Sequence, residues 1–127
     1  MVFNWREFCS VAQYICTNLD AARTGFSDEA AYRCAISRSY YAAFHSAHDF
    51  ARARLPYIPP PADELYREHQ MVIDAFKKGD GYAVASNLEE LRDLRNDCDY
   101  HANERITHRN FDESLVLARD IILSCIL

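Results

Sequence analysis

The longest stretches without a helix breaker constrain the fold of this chain most. No glycine or proline occurs between Ser27 and Leu55, and none occurs after Gly81. The whole sequence has only three glycines and four prolines among 127 residues, which argues against a turn-rich β-barrel or a long disordered segment. Half of the residues are apolar, and a chain of this length supports one hydrophobic core. We therefore predict a single helical domain over residues 1–127.

Breakers and capping residues divide the chain into five predicted helices. They span about Phe3–Arg23, Ser27–Leu55, Asp63–Lys78, Tyr82–Tyr100 and Phe111–Leu127. Ser27 is a good N-cap and Gly25 a good terminator, and Asn110 with Glu113 resembles a capping box for the last helix. The apolar end of that helix should be buried in the bundle or in a subunit contact. The predicted fold class is all-α, an up-and-down bundle of four to five helices.

Cysteine usage and charge limit the compartment and the ligands. The N-terminal segment carries Arg6 and Glu7 within its apolar pattern, so we expect no signal peptide, and no apolar run is long enough to span a membrane. The five cysteines lack metal-binding spacing, which predicts reduced cytoplasmic thiols, no metal site and no cofactor.

The net charge of −5 argues against nonspecific coating of nucleic acid. Twelve of the fourteen basic residues are arginine, which suits phosphate contacts but also fits a bias in genomic base composition.

Two stripes run side by side along the second predicted helix. The first has the spacing of a packing seam and comprises Ile36, Tyr40, Ala43, Ala47 and Phe50. The second is polar and comprises Arg38, Tyr41, His45, His48 and Arg52. Two interpretations fit the polar stripe. It is either a solvated edge with Tyr41 half-buried, or the wall of a pocket or interface whose residues bind phosphate or base.

An arginine interrupts the apolar seam of the fourth predicted helix. That seam comprises Val84, Leu88, Leu91, Arg95 and Cys98. A buried guanidinium needs a partner or a wet cleft, and Asp99, one turn on, is a local candidate. His101 lies six residues after Arg95, about 120° around an unbroken helix. The two side chains therefore meet only if the helix ends near Tyr100 or if one of them comes from another subunit. A histidine at the end of a helix is also typical of a cap or surface residue.

Two sequence blocks, AISRSYYAAFHSAHDFA and LRNDCDYH, resemble the HEPN family of small helical domains. The resemblance runs from about residue 5 to the end of the chain. The second block matches the family's Arg-x(4–6)-His signature, with Arg95, the polar Asn96 directly after it, and His101. The resemblance implies a two-fold homodimer in which the signature segments of both subunits face each other across a shared cleft.

The same resemblance implies a metal-independent endoribonuclease, often a toxin encoded beside a nucleotidyltransferase-like antitoxin. The implied reaction is attack of the RNA 2′-hydroxyl on the adjacent phosphate. His101 would be the general acid/base, Arg95 would hold the phosphate and stabilise its developing charge, and Asn96 would orient either group by hydrogen bonding. Some toxins of the family extend the signature to His-x-Tyr, whereas this chain has Asn103 at that place.

Two alternatives to the ribonuclease stay open at this point. Some HEPN proteins lack nuclease activity and act as partners of a nucleotidyltransferase or as modules that bind nucleotide or RNA. The other alternative is a structural bundle that dimerises through the second and fourth predicted helices. In that case Arg95 would pair with Asp99, and His101 would cap its helix.

Overall fold

The residues between Ser27 and Pro56 form one long helix, as the absence of breakers predicts. In this computed structural model, which describes residues 2–127, helix α3 spans Asp28–Arg54. The Ser27 hydroxyl accepts a hydrogen bond from the Ala30 N–H at 3.1 Å, which confirms the predicted N-cap. Asp28 and Glu29 occupy the first turn, where carboxylates favour the helix dipole.

The structure has five further α-helices within residues 2–127. They are α1 (Glu7–Thr17), α2 (Ala21–Thr24), α4 (Glu68–Lys78), α5 (Tyr82–Tyr100) and α6 (His108–Ser124), and a 3-10 segment (Ala62–Arg67) precedes α4. No strand occurs within residues 2–127, so the all-α prediction is confirmed, although the described chain has six helices where the sequence predicts four to five. The bounds of α5 match their prediction.

The prediction of one continuous first helix over Phe3–Arg23 is wrong, because helix α1 ends at Thr17. The Asn18 side-chain amide and the Thr17 hydroxyl both donate to the Tyr14 carbonyl, at 2.8 and 3.2 Å, and so compete with the helical backbone. Asp20 is extended, and the short α2 that follows ends at Gly25, whose φ of 81° is left-handed.

The starts of two other helices also differ from their predictions. Helix α4 begins at Glu68, because the segment from Ala62 onward forms the 3-10 turns. Helix α6 is capped by Thr107, not by Asn110. The Thr107 hydroxyl accepts the Asn110 N–H at 3.4 Å, and the Asn110 side chain accepts the Thr107 N–H at 2.9 Å. The predicted cap residue is therefore the third residue of the helix.

Helix α3 packs against α1, α4, α5 and α6, and its buried alanines allow this close approach. A larger apolar cluster joins α3, α4, α5 and α6; its bulky buried members are Tyr40, Phe44, Val72, Ile73, Phe76, Leu88, Leu91 and Ile121. A smaller cluster joins α1, α3, α5 and α6, with the buried residues Ala12, Cys16, Ala35, Ile36, Cys98, Ile106, Phe111 and Leu115. The predicted seam of α3 is thus part of the core.

The C-terminal segment is buried on one face only. Ile121 and Cys125 are buried, whereas Leu123, Ile126 and Leu127 are exposed, and α6 ends at Ser124. Burial in a subunit contact stays a prediction for the exposed residues. None of the described helices is both long enough and apolar enough to cross a membrane.

Candidate functional site

The Arg95 guanidinium is enclosed by aromatic rings between α3 and α5. Arg95 as a whole is only 7% exposed. Its guanidinium carbon lies 4.7 Å from the Tyr40 ring, 5.6 Å from the Tyr41 ring and 5.9 Å from the Tyr100 ring. Nη1 is 3.8 Å from a carboxylate oxygen of Asp99 and donates to the Tyr41 hydroxyl at 3.4 Å. The buried Nε has no hydrogen-bond partner within residues 2–127. Arg95 therefore pairs with Asp99, the candidate one turn on along its own helix, but the pairing is loose.

A histidine that the sequence analysis did not single out lies next to this arginine. The imidazole of His69, on α4, stacks on Phe44 with a ring separation of 4.1 Å, and its Nδ1 is hydrogen-bonded to the Tyr40 hydroxyl. Burial, with smaller contributions from the charges of Arg95 and Arg92, lowers the pKa of His69 to about 4. Burial raises the pKa of Tyr40 to about 12. Both groups are therefore neutral near pH 7.

His69 could have been found by its helical spacing. It lies three, four and seven residues before Val72, Ile73 and Phe76, which form the apolar face of α4. A histidine at such a position faces the core and needs a polar partner. The sequence does not show that this partner is Tyr40 of α3.

The polar stripe of α3 is largely covered by neighbouring segments. Its members Arg38, Tyr41, His45 and His48 are half-buried, and Arg52 is exposed. The His45 ring stacks on Trp5 at 3.7 Å, and the Arg38 guanidinium lies 5.1 Å from the Phe8 ring. Burial, together with the charge of His48, lowers the pKa of His45. The stripe is thus neither a fully solvated edge nor an open wall, and its role in substrate binding stays a prediction.

The imidazole of His101 is open to solvent just beyond α5. Its side chain is 57% exposed, and its Nδ1 lies 2.8 Å from a carboxylate oxygen of Asp97. The His101 N–H donates to the Asp97 carbonyl at 3.2 Å, so one residue holds both the backbone and the ring. His101 borders a surface cavity of about 410 Å³, which is also lined by Glu29, Arg33, Cys98, Asp99, Tyr100 and Ala102.

Within one chain, Arg95 and His101 are adjacent but are not joined. Helix α5 ends at Tyr100, as their meeting requires, yet no hydrogen bond links the two side chains within residues 2–127. Tyr100 connects their surroundings, since it lines the His101 cavity and its ring lies near the Arg95 guanidinium. Asn96 is half-buried on α5. A composite site in which a second copy completes the arrangement stays a prediction.

A second arginine, also not singled out by the sequence analysis, supports the segment that carries His101. Nη1 of Arg33, on α3, donates to the carbonyls of Asp97 and Cys98, both at 3.0 Å, and to the His101 carbonyl at 3.3 Å. Nη2 donates to the Glu104 carbonyl. These contacts join residues more than sixty positions apart, so no local sequence signal indicates them.

The described residues 2–127 contain no group of three or more histidine, cysteine and carboxylate side chains arranged to hold a metal ion. The five cysteines are free: Cys16, Cys98 and Cys125 are buried, Cys9 is half-buried and Cys34 is exposed. Compared with protein-family models, curated proteins and solved structures, the chain gives no match.

Proposed function

We propose that this chain is an endoribonuclease of the HEPN type that cuts RNA without a metal ion. The observation that carries the proposal is the exposed imidazole of His101, bonded to the Asp97 carboxylate at the edge of a surface cavity. An imidazole is the side chain best suited to acid/base catalysis near neutral pH, and a carboxylate partner fixes its tautomer and orientation. The two sequence blocks that resemble the family add the class of substrate.

In the proposed reaction, the RNA 2′-oxygen attacks the adjacent phosphorus and the bond from phosphorus to the 5′-oxygen breaks. His101 removes the proton of the 2′-hydroxyl and returns it to the departing 5′-oxygen. The products are a 2′,3′-cyclic phosphate and a 5′-hydroxyl, so the step consumes no water.

We assign Arg95 to the phosphate and Asn96 to the orientation of the phosphate or of His101. The Arg95 guanidinium retains an unpartnered N–H, and its one carboxylate partner is 3.8 Å away. Tyr100 is exposed and covers the guanidinium on the side of the cavity. Displacement of this ring when RNA binds would open the Arg95 guanidinium to the His101 cavity. There it would stabilise charge on the phosphate oxygens. The signature segment of a second copy would complete the cleft.

The test is cleavage of RNA by purified protein in EDTA. We expect the wild-type chain to cut, and we expect His101→Ala and Arg95→Ala each to reduce the rate by about two to four orders of magnitude. His108→Ala is the matched control, because His108 is also exposed and is paired with a carboxylate four residues away, Asp112 at 3.1 Å. Cleavage that requires a metal ion, or that survives both site substitutions, would contradict the proposal.

One observation favours a second candidate function, a binding module without catalysis. Arg95 is 7% exposed and already contacts Tyr40, Tyr41 and Asp99, which is the environment of a structural residue. Such a module would bind nucleotide, RNA or a nucleotidyltransferase partner. A binding module would show a rise in Tm when the ligand is added, and it would not cleave RNA. The His101→Ala variant would show the same rise in Tm.

A further inference from the structure

The C-terminal end of α5 is held by a side chain from another helix. The last carbonyls of an α-helix have no partner within the helix, and a glycine in a left-handed conformation often closes the end. Here the residue after α5 is His101, which has a negative φ of −117°. The His101 N–H bonds the Asp97 carbonyl, and Arg33 of α3 adds a further donor: its Nη1 donates to the carbonyls of Asp97, Cys98 and His101.

A carboxylate secures the same segment one step further along the chain. Oε1 of Glu29 accepts the Ile106 N–H at 2.8 Å and lies 3.4 Å from Nη2 of Arg33. The hydrogen bond from Ile106 and the charge of Arg33 lower the pKa of Glu29, so it stays ionised at neutral pH. Nη2 of Arg33 also donates to the Glu104 carbonyl. The pair therefore holds residues 97–106 at both ends, with His101 between.

These contacts decide what Arg33 can do at the cavity that it shares with His101. Both terminal nitrogens of its guanidinium already donate to backbone carbonyls or to Glu29, and the side chain is only 20% exposed. Binding a phosphate would require Arg33 to release the chain that carries His101. Arg33 is therefore suited to holding the site and not to holding the substrate.

We propose that Arg33 and Glu29 are positioning residues that fix the backbone around His101 for RNA cleavage. This inference rests on the proposed function. Neither side chain is assigned to the reacting atoms; their effect passes through the conformation of residues 97–106. Loss of the pair should let His101 and Asp97 move relative to the substrate, and displacements of about 1 Å lower rates by up to a hundredfold.

The test compares Arg33→Gln and Glu29→Ala with wild type by two measurements. The first is amide hydrogen exchange by NMR, for which we expect the Ile106 and His101 amides to exchange at least about tenfold faster while amides within α4 are unchanged. The second is RNA cleavage in EDTA, for which we expect kcat to fall about tenfold or more and KM to change less than about twofold. Arg109→Gln is the control, since Arg109 is exposed and pairs with the exposed Glu113.

The outcomes separate this inference from the proposed function. Unchanged exchange at Ile106 and His101 overturns the positioning role, and so does faster exchange with an unchanged kcat. A rise in KM with kcat preserved also overturns it, because that result assigns Arg33 to substrate binding. If the wild-type chain does not cut RNA, the proposed function fails, and with it the catalytic part of the inference; faster exchange would then support only the structural clamp. Glu29→Ala removes the acceptor of the Ile106 N–H but leaves the contacts of Arg33 with the carbonyls, so it tests the clamp if Arg33→Gln does not fold.

Discussion

A hydrogen bond joins the Tyr40 hydroxyl of α3 to Nδ1 of His69 on α4, next to the buried Arg95 guanidinium. Burial keeps both partners uncharged, since it lowers the pKa of His69 to about 4 and raises that of Tyr40 to about 12. Protonation of His69 would place a second positive charge near those of Arg95 and Arg92. The core is therefore built for a neutral histidine.

The first prediction concerns the pH dependence of stability. The pKa of His69 is 6.5 in the unfolded chain and about 4 in the folded chain, so between these values the unfolded state binds a proton that the folded state does not. Stability from this group is complete above pH 6.5 and falls as the pH drops toward 4. We expect a loss of about 2 kcal/mol between pH 7 and pH 5 from His69.

Urea unfolding at pH 7 and pH 5 measures this effect, with His69→Gln as the matched variant. Glutamine can still hydrogen-bond to Tyr40 but does not titrate. The variant should therefore lose about 2 kcal/mol less than the wild-type chain between pH 7 and pH 5. Equal losses in both proteins would show that His69 is protonated without penalty.

The second prediction concerns the Arg95–Asp99 pair. Arg95 is buried whereas Asp99 lies at the surface, so removal of Asp99 alone leaves a buried charge without its carboxylate, whereas removal of both partners is tolerated. We expect Asp99→Ala to lower the free energy of unfolding by about 2 kcal/mol, and the double variant Arg95→Met/Asp99→Ala to recover at least half of that loss. The exposed pair of Arg109 and Glu113 is the control, for which Glu113→Ala should cost less than about 0.5 kcal/mol.

Urea unfolding of the four proteins in this cycle gives the coupling energy between the two side chains. Additive effects would mean that the 3.8 Å separation contributes no stabilisation. In that case the aromatic rings alone hold the guanidinium.

The third prediction concerns the cap of α6, where sequence and structure differ. The Thr107 hydroxyl and the Asn110 side chain exchange hydrogen bonds with each other's backbone N–H, whereas the Glu113 carboxylate pairs with Arg109, at 3.5 Å. Thr107→Ala should therefore cost about 1 kcal/mol, and Glu113→Ala close to nothing. Thermal unfolding decides between the two caps: a larger Tm loss in Glu113→Ala would favour the cap that the sequence predicts.

This cap shows what local sequence reasoning can and cannot reach. Ser27 and Thr107 each accept a hydrogen bond from the backbone N–H of the residue three positions later. Only Ser27, however, follows an obvious helix breaker, Gly25. The run RITHRN has no such breaker, so an N-cap at Thr107 and one at Asn110 satisfy similar local rules. The position is decided by Phe111, which is buried in the smaller core cluster and fixes the register of α6.

The candidate site was predictable in part for a related reason. Arg95 and His101 were recognisable because an arginine in an apolar seam and a histidine at a helix end break a local pattern. Arg33, Glu29 and Asp97 break no pattern, because charged residues on helices are ordinary. Their roles come from contacts between α3 and residues 97–106, which depend on tertiary packing. The partner of His69 was hidden for the same reason.

The fourth prediction concerns the reactivity of the five thiols. Burial raises the pKa of Cys16 to about 11 and those of Cys98 and Cys125 to about 12, so these thiols carry almost no reactive thiolate near pH 7.5. Cys9 is half-buried, and burial raises its pKa as well. Cys34 alone is exposed, on the outer side of α3. We therefore expect native protein to gain one N-ethylmaleimide adduct quickly at pH 7.5 and the others about tenfold more slowly or not at all.

Intact-mass spectrometry over time counts these adducts, and peptide mapping identifies the first site. Cys34→Ser should remove the fast adduct and leave the slow ones unchanged, while unfolding in urea should make all remaining thiols react together. A fast second adduct in native protein, at Cys16 or Cys98, would mean that the cluster between α1, α3 and α5 opens on the timescale of labelling. Because Arg33 donates to the Cys98 carbonyl and makes no such contact with Cys125, the same experiment on Arg33→Gln should accelerate labelling at Cys98 in preference to Cys125.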